Sequence, residues 1–212
     1  MVINFYGEGC FKIQSGETTI LTDPFDKKIG LTPPRFKSDI ILKTLTPIPI
    51  TEQSTDDSMG HIIWGPGEYN IKNININGFL LPAESSENFL KSVYLVEMEN
   101  INLCFLGHSS NSPEPIILEK LEKIDILFIP AGGKPFIEQK TAAKIIKQIQ
   151  PKIVIPCFFK IPLLKRPAEK IENFLDEFNG SKNKNTKGEE KLTIKKKELD
   201  GMEKTEIIIL KA

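Results

Sequence analysis

Residues 101–133, "INLCFLGHSSNSPEPIILEKLEKIDILFIPAGG", decide the architecture. "INLCFLG" reads as a short apolar strand ended by a glycine. In "PEPIILEKLEKI" the residues Ile117, Leu118, Leu121 and Ile124 recur at helical spacing and share one face. "DILFIPAGG" is continuously apolar, the pattern of a strand covered on both sides. Downstream the alternation continues. "IEQKTAAKIIKQIQ" is an amphipathic helix with Ala142, Ile145, Ile146 and Ile149 inward, and "KIVIPCFF" is a second buried strand. Strands joined through helices pair in parallel, as βαβ units. "PAEKIENFLDEF" then predicts a helix with Pro167 near its first turn and Asn179-Gly180 as its stop.

Upstream the chain is rich in strand signals. "MVINFYG", "CFKIQSG" and "TTILTDPF" are three short strands, with Gly16-Glu17 as a hairpin turn. "DIIL", "HIIWG", "NININGFLL" and "SVYLVEME" follow, and Asn100 marks a tight turn into "INLCFLG". Residues 179–191, "NGSKNKNTKGEEK", are polar and lysine-rich and predict a flexible solvated loop. "KLTIKKKELD" and "EIIILKA" predict a final strand pair or a strand-turn-strand. Many strands followed by βαβα imply two mixed sheets with helices outside, within one domain over residues 1–212.

Composition removes several function classes. Lys plus Arg and Asp plus Glu both number 28, so no net field attracts nucleic acid or anionic lipid. Only Arg35 and Arg166 supply the guanidinium fork suited to phosphate. "KKK" at 195–197 and the thirteen phenylalanines do not interleave as a base-stacking surface does. No apolar run approaches the roughly 20 residues that span a bilayer. Cys10, Cys104 and Cys157 are odd in number and set in apolar contexts, the usage of buried thiols in a reducing compartment. "MVINFYGEGC" has no basic region leading into a long apolar one. The expectation is a cytoplasmic protein whose partner is an unknown small molecule or protein, with no nucleic acid and no membrane.

Five stretches in order carry a resemblance: "FYGEGCFKIQSGETTILTDPF", "GPGEYNIKNININGF", residues 101–133, "TAAKIIKQIQPKIVIPCFFK" and "KLTIKKKEL". Together they resemble the metallo-β-lactamase superfamily, in its small Zn-dependent hydrolase-like branch related to ascorbate-6-phosphate lactonases. The resemblance implies an α/β four-layer αββα sandwich of two mixed sheets. It also implies a cleft between the sheets where imidazoles and carboxylates hold one or two metal ions. Zinc so held lowers the pKa of bound water and yields hydroxide near neutral pH.

The ligands that the resemblance implies are missing. The family's His-x-His-x-Asp-His motif falls on "LTPIPI", with Leu45 and Pro47 at the first two histidines, Pro49 at the Asp and Ile50 at the last histidine. Leu106-Gly107-His108 stands where the family has Leu-Gly-Asp, and Phe158 stands where it has a strand-end histidine. Near "LLPAES" only Glu84 offers a donor, and Glu8 stands where the branch often has a histidine. Independently of any alignment, the chain holds only two histidines, His61 and His108, too few for a three-imidazole site.

What remains is a short set of candidates. His108, at a strand end, reads as a metal donor, a general base or a loop-fixing hydrogen-bond donor. Asp23, before Pro24, reads first as a turn-fixing acceptor of N–H bonds. Glu8, Asp23, Glu84 and His108 together are the alternative set for Mn²⁺ or Fe²⁺. Glu68 and Lys160 survive from the family pattern as ligand-binding charges, or as ordinary surface charges. His61 opens a strand and reads as a surface residue, and Cys157 should face the core. Leu45, Ile50 and Phe158 should fill the space left by the ligands, with Pro47 and Pro49 holding the loop extended. The functional expectation is a metal-free pseudoenzyme with a binding or scaffold role and no metal site. The alternative is a divergent hydrolase centred on His108.

Overall fold

The structure, a computed structural model, describes residues 1–50, 60–179 and 188–212. The middle of the polar run expected at 179–191, residues 180–187, lies outside the described residues, as does the Gly180 helix stop.

The first sheet begins with β1 (Val2–Gly7), β2 (Cys10–Ser15) and β3 (Thr18–Thr22), three antiparallel strands, the last two joined at Gly16-Glu17. β4 (Ile40–Leu42) joins β3 in parallel. β5 (Leu45–Pro47) leaves this sheet and pairs with the second. β6 (His61–Ile63) returns to β4 in parallel. β7 (Gly67–Ile71) and β8 (Ile74–Leu80) form a hairpin that leads into β9 (Phe89–Met98) and β10 (Ile101–Phe105). Glu99 and Asn100 make the tight β9–β10 turn, both with left-handed backbones. α1 (Pro115–Lys120) connects to β11 (Ile126–Pro130), and α2 (Gln139–Ile149) connects to β12 (Ile153–Cys157). β10, β11 and β12 are parallel neighbours, as the alternation predicts. α3 (Ile171–Asn179), β13 (Leu192–Thr193), α4 (Lys196–Asp200) and β14 (Glu206–Ile207) complete the chain.

Two mixed sheets result, ordered β13-β1-β2-β3-β4-β6 and β14-β12-β11-β10-β9-β8-β7, with β5 on the flank of β9. Strand β1 alternates buried and half-buried residues, whereas β11 and β12 are buried at every position. That difference is the one expected between a strand with one covered face and a parallel strand covered on both. Aromatic rings link the sheets. Phe11 of β2 meets Phe128 of β11 edge-on at 4.7 Å, and Phe128 stacks on Phe105 of β10 at 4.3 Å.

Three local expectations change. The closing strands do not pair with each other: β13 adds to β1 and β14 to β12, one in each sheet. "KKELD" forms α4 between them, and the Glu198 carboxylate accepts the Lys195 N–H at the helix start, a cap that a strand reading overlooks. Helix α3 starts four residues after Pro167, so the proline lies in the approach loop, and α1 ends at Lys120, before Leu121 and Ile124 bury themselves.

Candidate functional site

Glu8, Asp23, Thr44, His108 and Phe158 lie just past the carboxyl ends of β1, β3, β4, β10 and β12. Open α/β sheets place their crevices at this end. Here the loops enclose a cavity of about 370 Å³, walled by Leu45, Pro47, Phe136, Phe158, His108 and Asp23, among others.

The chain crosses between sheets at Lys43-Thr44, and Asp23 holds that crossing. Thr44 donates its N–H to Asp23 Oδ1 (2.7 Å) and its hydroxyl to Asp23 Oδ2 (2.6 Å). Asp23 is 8% exposed, so the two bonds compensate a largely desolvated carboxylate. Thr44 Oγ1 also lies 2.7 Å from His108 Nδ1 and accepts the His108 backbone N–H at 3.2 Å. A hydroxyl has one proton, and Asp23 takes it. The ring contact therefore requires Nδ1–H of His108 as donor, which leaves Nε2 as the free acceptor. Burial pushes the His108 pKa below its usual value; the charge of Asp23 pulls upward without reversing the shift. The close approach depends on Gly107, whose φ is +52° and where a Cβ would stand 2.1 Å from Thr44 Oγ1.

On the other wall, Arg166 forks onto Glu8, with Nε to Oε1 at 3.1 Å and Nη2 to Oε2 at 2.9 Å. The same Nη2 reaches the Phe158 carbonyl at 2.7 Å, and the guanidinium sits 4.9 Å from the Phe136 ring centroid. Phe158, itself left-handed at φ +58°, donates its N–H to the Glu8 carbonyl. Its ring packs at 4.2 Å on Phe136 and 4.9 Å on His108.

Of the sequence candidates, Glu8, Asp23 and His108 meet in this cleft. Glu84 does not join them. Its carboxylate accepts from Lys91 Nζ (3.0 Å) and from the N–H groups of Ser110 and Asn111 (2.6 and 2.8 Å). The four-residue alternative set for Mn²⁺ or Fe²⁺ is thereby broken up: Glu8 faces a guanidinium and Glu84 faces an ammonium. Glu68 lies exposed on β7, and Lys160 donates to the Leu164 carbonyl outside the cleft. Leu45 and Phe158 fill the cavity wall as expected, but Ile50 is 48% exposed and fills nothing. Leu45–Pro47 is extended because it pairs with β9. His61 is exposed, and Cys157 is buried in the core, where burial pushes its thiol up. Sequence reasoning missed Thr44 and Arg166. One signal for Arg166 was available, since an arginine is rare in this lysine-dominated chain.

The residues present do not fit a zinc centre. The positions that the resemblance assigns to ligands carry Leu45, Pro47 and Phe158, and the surviving carboxylates Glu8, Asp23 and Glu84 are already paired, which leaves His108 Nε2 as a lone donor. No group of three or more His, Cys, Asp or Glu donors converges among the described residues.

The β-lactamase superfamily domain profile matches residues 2–158. A metal-dependent hydrolase of Listeria welshimeri is 25% identical over 221 residues, covering 84% of this chain and 93% of that protein. A metallo-β-lactamase superfamily protein from Thermotoga maritima superposes with a TM-score of 0.77 at 22% identity, over 99% of this chain and 97% of its own. A metallo hydrolase from the archaeon Ignicoccus hospitalis gives a TM-score of 0.60 at 12% identity, over 100% and 96%. The fold is the metallo-β-lactamase one, and the chain belongs to the β-lactamase superfamily.

Proposed function

Within that superfamily, we propose that this protein is a metal-free binding or scaffold protein rather than a metallohydrolase. The observation that carries this reading is the saturation of the cleft. Glu8 is neutralised by Arg166, Asp23 is bonded to Thr44, and the Phe158 ring stands against His108. The Arg166 guanidinium, with Lys43, supplies positive charge to the cleft from the chain itself. Apolar substitution at Leu45 and Phe158 fits this account, since a cluster of buried donors without a metal would leave costly unpaired groups. The test is elemental analysis after equilibration with Zn²⁺, Mn²⁺ or Fe²⁺ and removal of free ion. The expected metal content is far below one ion per chain; a stoichiometric ion overturns the reading.

A second reading rests on the His108 tautomer. Nε2 is a free base backed by Thr44 and Asp23, an arrangement suited to general-base hydrolysis without a metal. The name of the Listeria welshimeri relative, a metal-dependent hydrolase, favours hydrolysis in general terms. This reading requires an esterase, lactonase or phosphoesterase rate that His108→Ala abolishes. Equal rates in parent and variant sink it.

A further inference from the structure

A second cavity, of about 1040 Å³, shares no lining residue with the cleft. Its floor is aliphatic and aromatic: Leu31, Phe159, Ile161, Ile171 and Ile209. Its size is that of a binding site for a sizeable small molecule, about 300–1,000 Å³.

Leu163, on its rim, is unfavourably placed in two ways. Its side chain is 82% exposed, and its backbone is left-handed at φ +68°, a region that leucine avoids. The surroundings hold it there. Lys165 N–H bonds the Ile29 carbonyl at 2.9 Å, and Lys160 Nζ bonds the Leu164 carbonyl at 3.0 Å. Gly30 lets the loop seat closely, since a Cβ there would stand 2.2 Å from the Leu163 carbonyl oxygen. Strain combined with apolar exposure is a mark of function.

The charges of the rim name the ligand. Arg35, Lys160 and Lys211 line the cavity, as does the main chain of Ala212, and among the described residues no Asp or Glu side chain does. Lys160 is bonded to a carbonyl and Lys211 to Glu190. Among the described residues the Arg35 guanidinium and the Tyr6 hydroxyl have no hydrogen-bond or ion-pair partner. Tyr6 packs on Phe36, the neighbour of Arg35, with ring centroids 5.7 Å apart. We propose that this groove binds a free single-chain acyl carboxylate, its hydrocarbon laid along Phe159, Ile161 and Leu163 and its carboxylate on Arg35 and Tyr6. A bidentate guanidinium–carboxylate contact beside an apolar trough is complementary to that class of molecule.

The test is displacement of a dansylated undecanoate from the whole chain by dodecanoate, dodecylamine or 1-dodecanol, each below its micelle threshold. Saturable one-to-one binding is expected, with dodecanoate displacing best. Leu163→Asn keeps a residue that accepts the left-handed turn and should weaken dodecanoate about tenfold, the effect of removing one buried leucine side chain. Arg35→Gln should weaken dodecanoate but leave 1-dodecanol unchanged. Both positions are at the surface, and circular dichroism checks that each variant is folded. No saturable binding, or equal binding by parent and Leu163→Asn, overturns the proposal. So does a dimer that Leu163→Asn dissociates, which assigns the groove to a second copy. Sedimentation with phosphatidylglycerol vesicles in place of monomeric binding likewise overturns it, in favour of a membrane surface.

Discussion

The segment from Phe158 to Arg166 walls both concavities, and it treats them in opposite ways. Phe158 turns its ring into the cleft and Arg166 forks onto Glu8 there, while Phe159, Ile161 and Leu163 face the larger groove. In the cleft the Glu8, Asp23 and Arg166 charges are answered by neighbours from the same chain. In the groove a guanidinium, a phenol and an exposed leucine are left without one among the described residues. A site whose polar groups are internally satisfied gains little from an incoming ligand, whereas an unsatisfied one gains contacts that folding did not provide. On the proposed reading the cleft serves structure and the neighbouring groove serves binding.

The sharpest way to break this contrast is to damage the cleft and find that nothing happens. Phe158→Ala should cost about 3–5 kcal/mol of unfolding free energy in denaturant titration, the usual range for a buried phenylalanine. Arg166→Ala should follow at about 3 kcal/mol, because it leaves Glu8, only 11% exposed, without its partner. The double variant Glu8→Gln/Arg166→Met should recover much of that loss, and a double-variant loss equal to the sum of the two single-variant losses would show that the pair is not coupled. Thr44→Val removes the hydroxyl that links Asp23 to His108 and should cost about 1–3 kcal/mol.

Smaller effects sharpen the comparison. His108 has a folded pKa below its unfolded value of about 6.5, so the folded state favours the neutral ring. Its contribution to stability is complete above that unfolded value and is lost as the pH falls from there toward the lower folded pKa. His108→Gln should flatten the stability–pH curve in that window, and an unchanged slope would place the titration elsewhere. On the groove side, Leu163→Asn should change stability by no more than about 0.5 kcal/mol, as surface substitutions do. A large loss there would mean that the leucine is structural.

Much of the layout was legible because apolar periodicity is local. The continuous runs of β11 and β12 and the inward Ala142, Ile145 and Ile146 of α2 each follow from neighbours within a few residues. The placement of the C-terminal segments was not, because a two-residue strand such as β13 or β14 is defined by the sheet it joins, not by its own sequence. The site divided similarly. The loss of the ligand motif and the shortage of histidines could be counted, but the partners of the surviving groups could not. Glu8 and Arg166 are separated by 158 positions, and Thr44 and His108 by 64.

The sequence by itself determined the alternating architecture, the absence of a multi-histidine centre and the apolar character of residues 45–50. Those are properties of composition and short-range order. Only the tertiary structure decided that Glu84 leaves the cleft, that Ile50 faces outward and that Thr44 fixes the His108 tautomer. It alone also decided that Leu163 stands exposed beside Arg35 over an apolar groove. Each of these depends on which distant groups the chain brings within hydrogen-bond or van der Waals reach. Folding sets that pairing through the burial of the two sheets as a whole, and no local pattern encodes it.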